Sequence, residues 1–272
     1  MATGTKITVE DKKHYDEEGF LIVKGLVSTE EAEGLREHFM KLQAGGPIPG
    51  CFSPVPEGEA KDILQRYPRM MHPHKVDELS MKMMLDGRIL DVLRELLEEE
   101  PLAAQSMFYF KPPGAKGQAL HQDNFYLKVE PGTCIAAWIA VDDADEENGG
   151  MFLVPKSNAL EVLCPHLADP AVSFTRDEVD VPDGLQPVPA RMKAGDVLFF
   201  NGSMIHGSYP NTSEDRFRRA FISHYTGVST TRIGQYYTPL YEASGKPIDR
   251  DANPTSGPCG TEHNQGGVYQ PH

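Results

Sequence analysis

Residues 103–141 read AAQSMFYFKPPGAKGQALHQDNFYLKVEPGTCIAAWIAV, short runs rich in aromatic and branched residues broken by Pro112-Pro113-Gly114 and Pro131-Gly132. Runs of this length between Gly, Pro, Asn and Asp clusters are the pattern of β-strands joined by turns. The texture begins near residue 103 and lasts to about residue 228, with candidate strands at 104–110, 119–126, 133–141, 151–154, 196–200, 205–208 and 219–225. Asn148-Gly149-Gly150 and Ala194-Gly195-Asp196 supply further turns. Many short strands so spaced predict a mainly β fold, a sandwich or jelly-roll barrel.

On the N-terminal side the period changes. Ser28-Thr29-Glu30-Glu31 fits a capping box, and Ala32, Leu35, Phe39 and Leu42 follow at helical spacing, which predicts a helix over about 29–43. After Pro73-His74, the positions of Val76, Leu79, Met83, Leu90, Leu93 and Leu97 fit one or two helices ending before Pro101. No repeat or linker-like stretch divides the chain, so residues 1–272 read as one domain, its core strands at about 103–228 and helices packed outside. Segments 47–70 and 165–190 are rich in Pro and polar residues and too long for simple connectors, which marks them as lids or substrate loops. The tail 251–272 contains no Leu, Ile or Phe and is either flexible or tied down by a specific site.

Composition narrows the function. The formal charge of −14 argues against a broad phosphate-binding face, hence against nucleic acid or anionic lipid as partner. The longest unbroken apolar stretch, Cys134 to Val141, is far short of a membrane span, and the N-terminus is polar. Four scattered Cys with no C-x-x-C pair signal neither a zinc ribbon nor a dense disulfide framework. A cytoplasmic protein, monomer or homodimer, acting on a small molecule is expected.

The chemistry concentrates in two segments. In His121-Gln122-Asp123, the period-2 alternation of a strand predicts that His121 and Asp123 share a face while Gln122 points away. About eighty residues later, His206-Gly207-Ser208 follows an apolar strand and a Gly-containing turn. Two histidines and one carboxylate make a facial triad that binds Fe(II) and leaves positions open opposite. The basic segment Arg216-Phe217-Arg218-Arg219 comes next, a small positive island in an acidic chain.

With these segments in view, the chain resembles the phytanoyl-CoA dioxygenase family of iron- and 2-oxoglutarate-dependent oxygenases. The likeness extends to Gly19-Phe20-Leu21-Ile22-Val23, to Ala137-Trp138, to Asn148-Gly149-Gly150 through Pro155-Lys156-Ser157-Asn158, and to Gly195–Phe200. Asn158 stands where the family usually has His. The resemblance implies a double-stranded β-helix of the jelly-roll, cupin-like type, with Fe(II), 2-oxoglutarate and O2 as cofactor and co-substrates. It implies His121, Asp123 and His206 as metal ligands and Arg218 as the grip on the distal carboxylate of 2-oxoglutarate, assisted by Ser208. Arg218 lies one residue further from His206 than the family pattern, which implies a turn insertion and leaves Arg216 and Arg219 as alternatives. Gln105 falls where ectoine hydroxylase-like members place a glutamine that contacts the co-substrate, and Trp138 where other members have a tryptophan near the metal, as a site wall or as plain barrel core; both are implied as co-substrate-site residues. Hydroxylation of an unactivated C–H bond of a small metabolite or natural-product intermediate is implied, with succinate and CO2 as co-products. An acyl-CoA or phosphonate substrate, or desaturation, epoxidation or ring formation, is the alternative within the class. Asp123, where halogenases carry a small residue, favours hydroxylation over halogenation. Outside the class stand a zinc hydrolase on the same ligands and a non-catalytic jelly-roll binding protein.

Other features read more plainly. His72 and His74, flanking Pro73 in a polar loop, are expected to be exposed, and His224 to be a buried, hydrogen-bonded histidine near Arg218. The acidic run Asp142-Asp143-Ala144-Asp145-Glu146-Glu147 reads as a solvated loop. Arg66, Arg69, Lys111, Lys116, Lys128 and Arg191 read as surface residues, though an anionic substrate group would suit them. His263 and His272 lie in the tail.

Overall fold

Two antiparallel sheets enclose the core of the computed structural model, which describes residues 6–254. From Pro101 onward the chain winds between them. Pro101–Tyr109, Ile135–Ala140, Val197–Asn201 and Ala220–Gly227 join the larger sheet, and Gln118–His121, Met151–Leu153, Val188–Ala190 and His206–Ser208 make the smaller one. Such winding, with Ala220–Gly227 paired between Pro101–Tyr109 and Ile135–Ala140, is a double-stranded β-helix.

The larger sheet is apolar on both faces because both are covered. Ala136, Trp138, Ala140, Leu198 and Ile222 pack inward with Met151 and Leu153 of the smaller sheet. Ile139, Phe199, Phe108 and Phe221 pack outward among the helices. The helix Thr29–Ala44 begins at a full Ser28/Glu31 capping box and lays Leu35 and Phe39 on this face. Phe39 stacks on Phe108 with ring centroids 3.8 Å apart. The helix Gly87–Leu97 adds Ile89, Leu90, Val92, Leu93 and Leu96, all buried.

Several expectations are corrected. The strand read over 119–126 stops at His121; Asp123 has helical angles (φ −61°, ψ −35°), and Asn124–Leu127 is a helical turn. The backbone N–H of Asn124 bonds to the Gly202 carbonyl at 2.8 Å, and Tyr126 and Leu127 pack with Leu102 and Tyr237, so tertiary contacts override the strand pattern. A helix, Val9–Glu18, occupies the polar N-terminal segment; only Tyr15 is buried on it, so it shows no apolar period, and its boundaries come from a Thr8/Asp11 capping box and Gly19 at φ +88°. His72 and His74 are buried rather than exposed, since His72 turns the chain at φ +52° and sends it inward beside Ser106. Cys51 and Cys134 are free and buried, whereas Cys164 is disulfide-bonded. No described helix is long and apolar enough to cross a membrane. Residues 255–272, with His263 and His272, lie outside the described residues.

Replacing Phe39 by Ala is expected to lower the unfolding free energy by about 3–5 kcal/mol. Urea denaturation followed by circular dichroism measures it. A loss below about 1 kcal/mol would show that the helix face is not part of the cooperative core.

Candidate metal centre

His121 ends its strand and His206 begins the neighbouring one, so strand register sets the two imidazoles opposite each other with ring centroids 4.2 Å apart. The turn after His121 then swings Asp123 between them. Each His Nε2 lies 3.6 Å from Asp123 Oδ1, all three side chains are buried, and their donor atoms fall within 4.8 Å of one another.

The protonation pattern follows from the partners. His121 Nδ1 meets the Ala119 carbonyl at 2.9 Å and His206 Nδ1 meets the Met204 carbonyl at 3.0 Å. A carbonyl only accepts, so each Nδ1 carries the proton and each Nε2 presents its lone pair to the site. Burial and the adjacent His121 push the His206 pKa down to about 4, which keeps that ring neutral at pH 7. Burial alone would raise the Asp123 carboxyl; the imidazoles of His206 and His224 outweigh it and hold it well below the usual range. His224 Nε2 donates to Asp123 Oδ2 at 3.0 Å, leaving Oδ1 for a metal. Two imidazole nitrogens and one carboxylate oxygen on one side of a cavity suit a divalent transition metal.

Gln122 locks the turn. Its amide donates to the Ser203 carbonyl at 2.6 Å and its oxygen accepts from the Leu163 N–H at 2.7 Å, which ties the ligand turn to two other loops. The sequence placed it facing away from the metal and offered no sign of this role. Gly207 has its own reason: a Cβ there would sit 2.7 Å from Phe152 Cζ and 2.8 Å from the Gln118 carbonyl.

The cavity runs from the triad past Met107, Trp138, Met151 and Ile222 to Tyr109 and Arg218. Arg218 is buried; its Nε donates to the Gly149 carbonyl at 2.9 Å, its Cζ lies 5.3 Å from the Trp138 ring centroid, and its Nη1 has no partner among the described residues. Burial lowers its pKa to about 10, so it remains a cation at neutral pH. Lys111, which the sequence reads as a surface residue, is instead buried beside it and donates to Ser208 Oγ at 2.7 Å and to the Tyr209 carbonyl. Ser208 therefore touches Lys111. Among the described residues neither Arg218 nor Lys111 has a carboxylate within ion-pair distance.

The other arginines of the segment are spent elsewhere, which corrects the sequence picture of a basic island beside a solvated acidic loop. Arg216 pairs with Asp145 at 2.7 Å and Glu147 at 3.1 Å, Arg219 with Asp142 at 2.7 Å, Lys193 with Asp143 at 2.7 Å, and Arg191 with Glu146. A buried guanidinium without a counter-ion is costly alone and well suited to a carboxylate held by two parallel hydrogen bonds. The far end of the cavity thus fits the distal carboxylate of an oxo acid. Trp138 forms a wall of this space, while Gln105 lies off it, paired across the strands with His224.

A double-stranded β-helix carrying two imidazoles, one carboxylate and a buried arginine in one cavity has the make-up of the non-haem metal oxygenases that consume a 2-oxo acid. The chain belongs to the phytanoyl-CoA dioxygenase family, matching its profile over residues 15–220. It is an iron- and 2-oxoglutarate-dependent oxygenase that uses O2. It is similar to phytanoyl-CoA dioxygenase 1 of Oryza sativa subsp. japonica, 25% identical over 252 residues that cover 78% of this chain and 87% of the rice protein. The peroxisomal phytanoyl-CoA dioxygenase of Mus musculus is 29% identical over 232 residues, 80% of this chain and 68% of that one. Among solved structures, the non-heme alpha ketoglutarate dependent carbocyclase SnoK from nogalamycin biosynthesis superposes with a TM-score of 0.68 at 22% identity, over 90% of this chain and 95% of that one. The epimerase SnoN, in complex with Fe3+, alpha ketoglutarate and nogalamycin RO, gives 0.67 at 19% identity, over 92% and 96%. At these identities the two structures attest the fold.

His224→Ala is expected to weaken metal binding by about 10–100-fold, because Asp123 loses the donor that orients it. His224→Gln, which keeps an N–H, should recover most of the loss. Competition with a chromophoric chelator reads all three proteins, and equal affinities would refute the role.

Proposed function

We propose that the protein hydroxylates an unactivated C–H bond of a small metabolite or natural-product intermediate, converting 2-oxoglutarate to succinate and CO2, with His121, Asp123 and His206 as the metal ligands. The observation that carries this reading is Arg218, a buried cation that lines the same cavity as the triad and whose Nη1 has no partner among the described residues. Iron at the triad would supply the oxidising chemistry, oxidative decarboxylation of the oxo acid in the presence of O2.

The chain's own residues do the positioning. Arg218 receives the distal carboxylate of 2-oxoglutarate; beside it Lys111, whose pKa burial and the Arg218 charge hold well below the usual range, adds an N–H donor, and Ser208, hydrogen-bonded to Lys111, orients it. Trp138 is the flat wall against which Arg218 and the carbon chain of the co-substrate lie. Gln105 supports the site from beside His224. The apolar lining of Met107, Phe200 and Ile222 keeps bulk water from the reacting centre. SnoN, whose structure holds nogalamycin RO, supports a natural-product-like small molecule as substrate. A zinc hydrolase on the same ligands would leave Arg218 without a task.

Purified protein supplied with Fe(II), 2-oxoglutarate and O2 is expected to form succinate slowly without substrate, and His121→Ala or Asp123→Ala to abolish it. Succinate formation that persists in both variants, or that needs no oxygen, would overturn the assignment.

A further inference from the structure

Lys111 and Arg218 are held side by side. The Arg218 main-chain N–H donates to the Lys111 carbonyl at 3.1 Å, and Gly149 serves both side chains. Its carbonyl accepts from Arg218 Nε, while a Cβ at its position would sit 2.8 Å from Lys111 Cδ and Cε, so glycine is what leaves room for the lysine stem. Lys111 is 3% exposed and Arg218 2%, and two cations side by side in so dry a place repel each other. We propose that 2-oxoglutarate binds together with a proton: the Lys111 amine is uncharged in the free protein and takes up one proton from solvent when the distal carboxylate arrives at Arg218. The proposal deepens the oxygenase reading above and rests on it.

The count of donors is the first argument. An uncharged amine has two N–H groups and a lone pair, whereas an ammonium has three N–H groups and no lone pair. Two acceptors meet Lys111 Nζ, the Ser208 hydroxyl at 2.7 Å and the Tyr209 carbonyl, and neither carries a charge. They satisfy the amine. A third N–H finds no acceptor among the described residues, and a carboxylate seated at Arg218 supplies one. Protonation makes the N–H that the carboxylate receives, as a charge-assisted hydrogen bond.

The surrounding charges are the second. From the strand His206–Ser208 and the residue after it come Ser208 and Tyr209, whose phenol burial raises above its usual range. From the strand Pro101–Tyr109 comes Tyr109, its ring centroid 5.9 Å from Arg218 Cζ. In the turn that carries Gly149, Asp142, Asp143, Asp145, Glu146 and Glu147 are each paired with an arginine or lysine other than these two. The loops that share a cavity with Lys111 bring Arg69, which lies over the Tyr109 and Phe174 rings, and Lys116 with Asp62, paired at 3.5 Å. Burial first, and then the Arg218 charge, hold the Lys111 amine well below its usual range. A carboxylate at Arg218 cancels that repulsion and adds an attraction, which drives the amine toward its charged form. Between the lower pKa of the free protein and the higher one of the complex, the complex holds the extra proton. Affinity for 2-oxoglutarate therefore falls as pH rises through that window, by up to about tenfold per pH unit.

The test uses the full chain loaded with Fe(II) under anaerobic conditions. Calorimetric titration with 2-oxoglutarate at several pH values from about 6 to about 8.5, repeated in buffers of different ionisation enthalpy, counts the protons exchanged. Pyruvate, which keeps the chelating head and lacks the distal carboxylate, corrects for protons moved at the metal. At one or more of these pH values 2-oxoglutarate is expected to take up about half a proton or more beyond pyruvate. Lys111→Met, of similar length without the amine, should lose that excess and bind 2-oxoglutarate more weakly. Equal proton exchange for the two acids across the series, or an excess that survives in Lys111→Met, would overturn the proposal. The comparison of the two acids in wild type decides the matter even where Lys111→Met does not fold. Missing 2-oxoglutarate binding in wild type counts against the oxygenase assignment, whereas normal binding with no excess of protons counts against the proton uptake alone.

Discussion

An arginine buried without a counter-ion among the described residues is the constraint around which this structure is arranged. Arg218 stands among Trp138, Tyr109 and the Gly149 carbonyl, and the carboxylates nearest in sequence pattern, Asp142 to Glu147, are all directed to other cations. Leaving a charge in such a place costs several kcal/mol unless a ligand completes it. The acidic run is what makes the selection. By neutralising Arg216 and Arg219 on the outside, it leaves one guanidinium of the segment for the interior.

Arg218 lies two residues before the strand Ala220–Gly227, and His224, which holds Asp123, lies further along that strand. The same strand is paired on both edges and covered on both faces, so the spacing between Arg218 and the triad is set by a rigid element. The metal end has a complementary arrangement: both imidazoles are fixed through Nδ1 to main-chain carbonyls, and only Nε2 faces inward. Positive charge at one end and a carboxylate at the other leave a cavity polarised along its length. A co-substrate with a chelating head and an anionic tail matches that polarity.

Much of this was legible in the chain. The strands at 133–141, 196–200 and 219–225 were found because each is a short apolar run bounded by turn residues, and their neighbours in space do not alter that signal. The identities of the triad were legible too, though for His121 and Asp123 the geometry was not: a helical turn, fixed by contacts with Gly202 and the 102–104 region, replaces the alternation of a strand. Lys111 reads as surface in the sequence because its partner Ser208 lies 97 residues away and nothing local to Lys111-Pro112-Pro113 announces burial. The same holds for His72 and His74, whose polar loop is carried inside by a single left-handed residue. Local pattern reports which elements form; it does not report which polar side chains the packing of distant elements will strip of water.

The central claim is that one protein cation, Arg218, is matched to one carboxylate of the co-substrate. Anaerobic binding of 2-oxoglutarate and of pyruvate to the Fe(II)-loaded protein, compared between wild type and Arg218→Ala, tests it most directly, since pyruvate keeps the chelating head and lacks the distal carboxylate. The account predicts that wild type prefers 2-oxoglutarate by about tenfold or more and that Arg218→Ala binds 2-oxoglutarate no better than pyruvate. Equal affinity for the two acids in wild type, or an equal loss of both in Arg218→Ala, would contradict it.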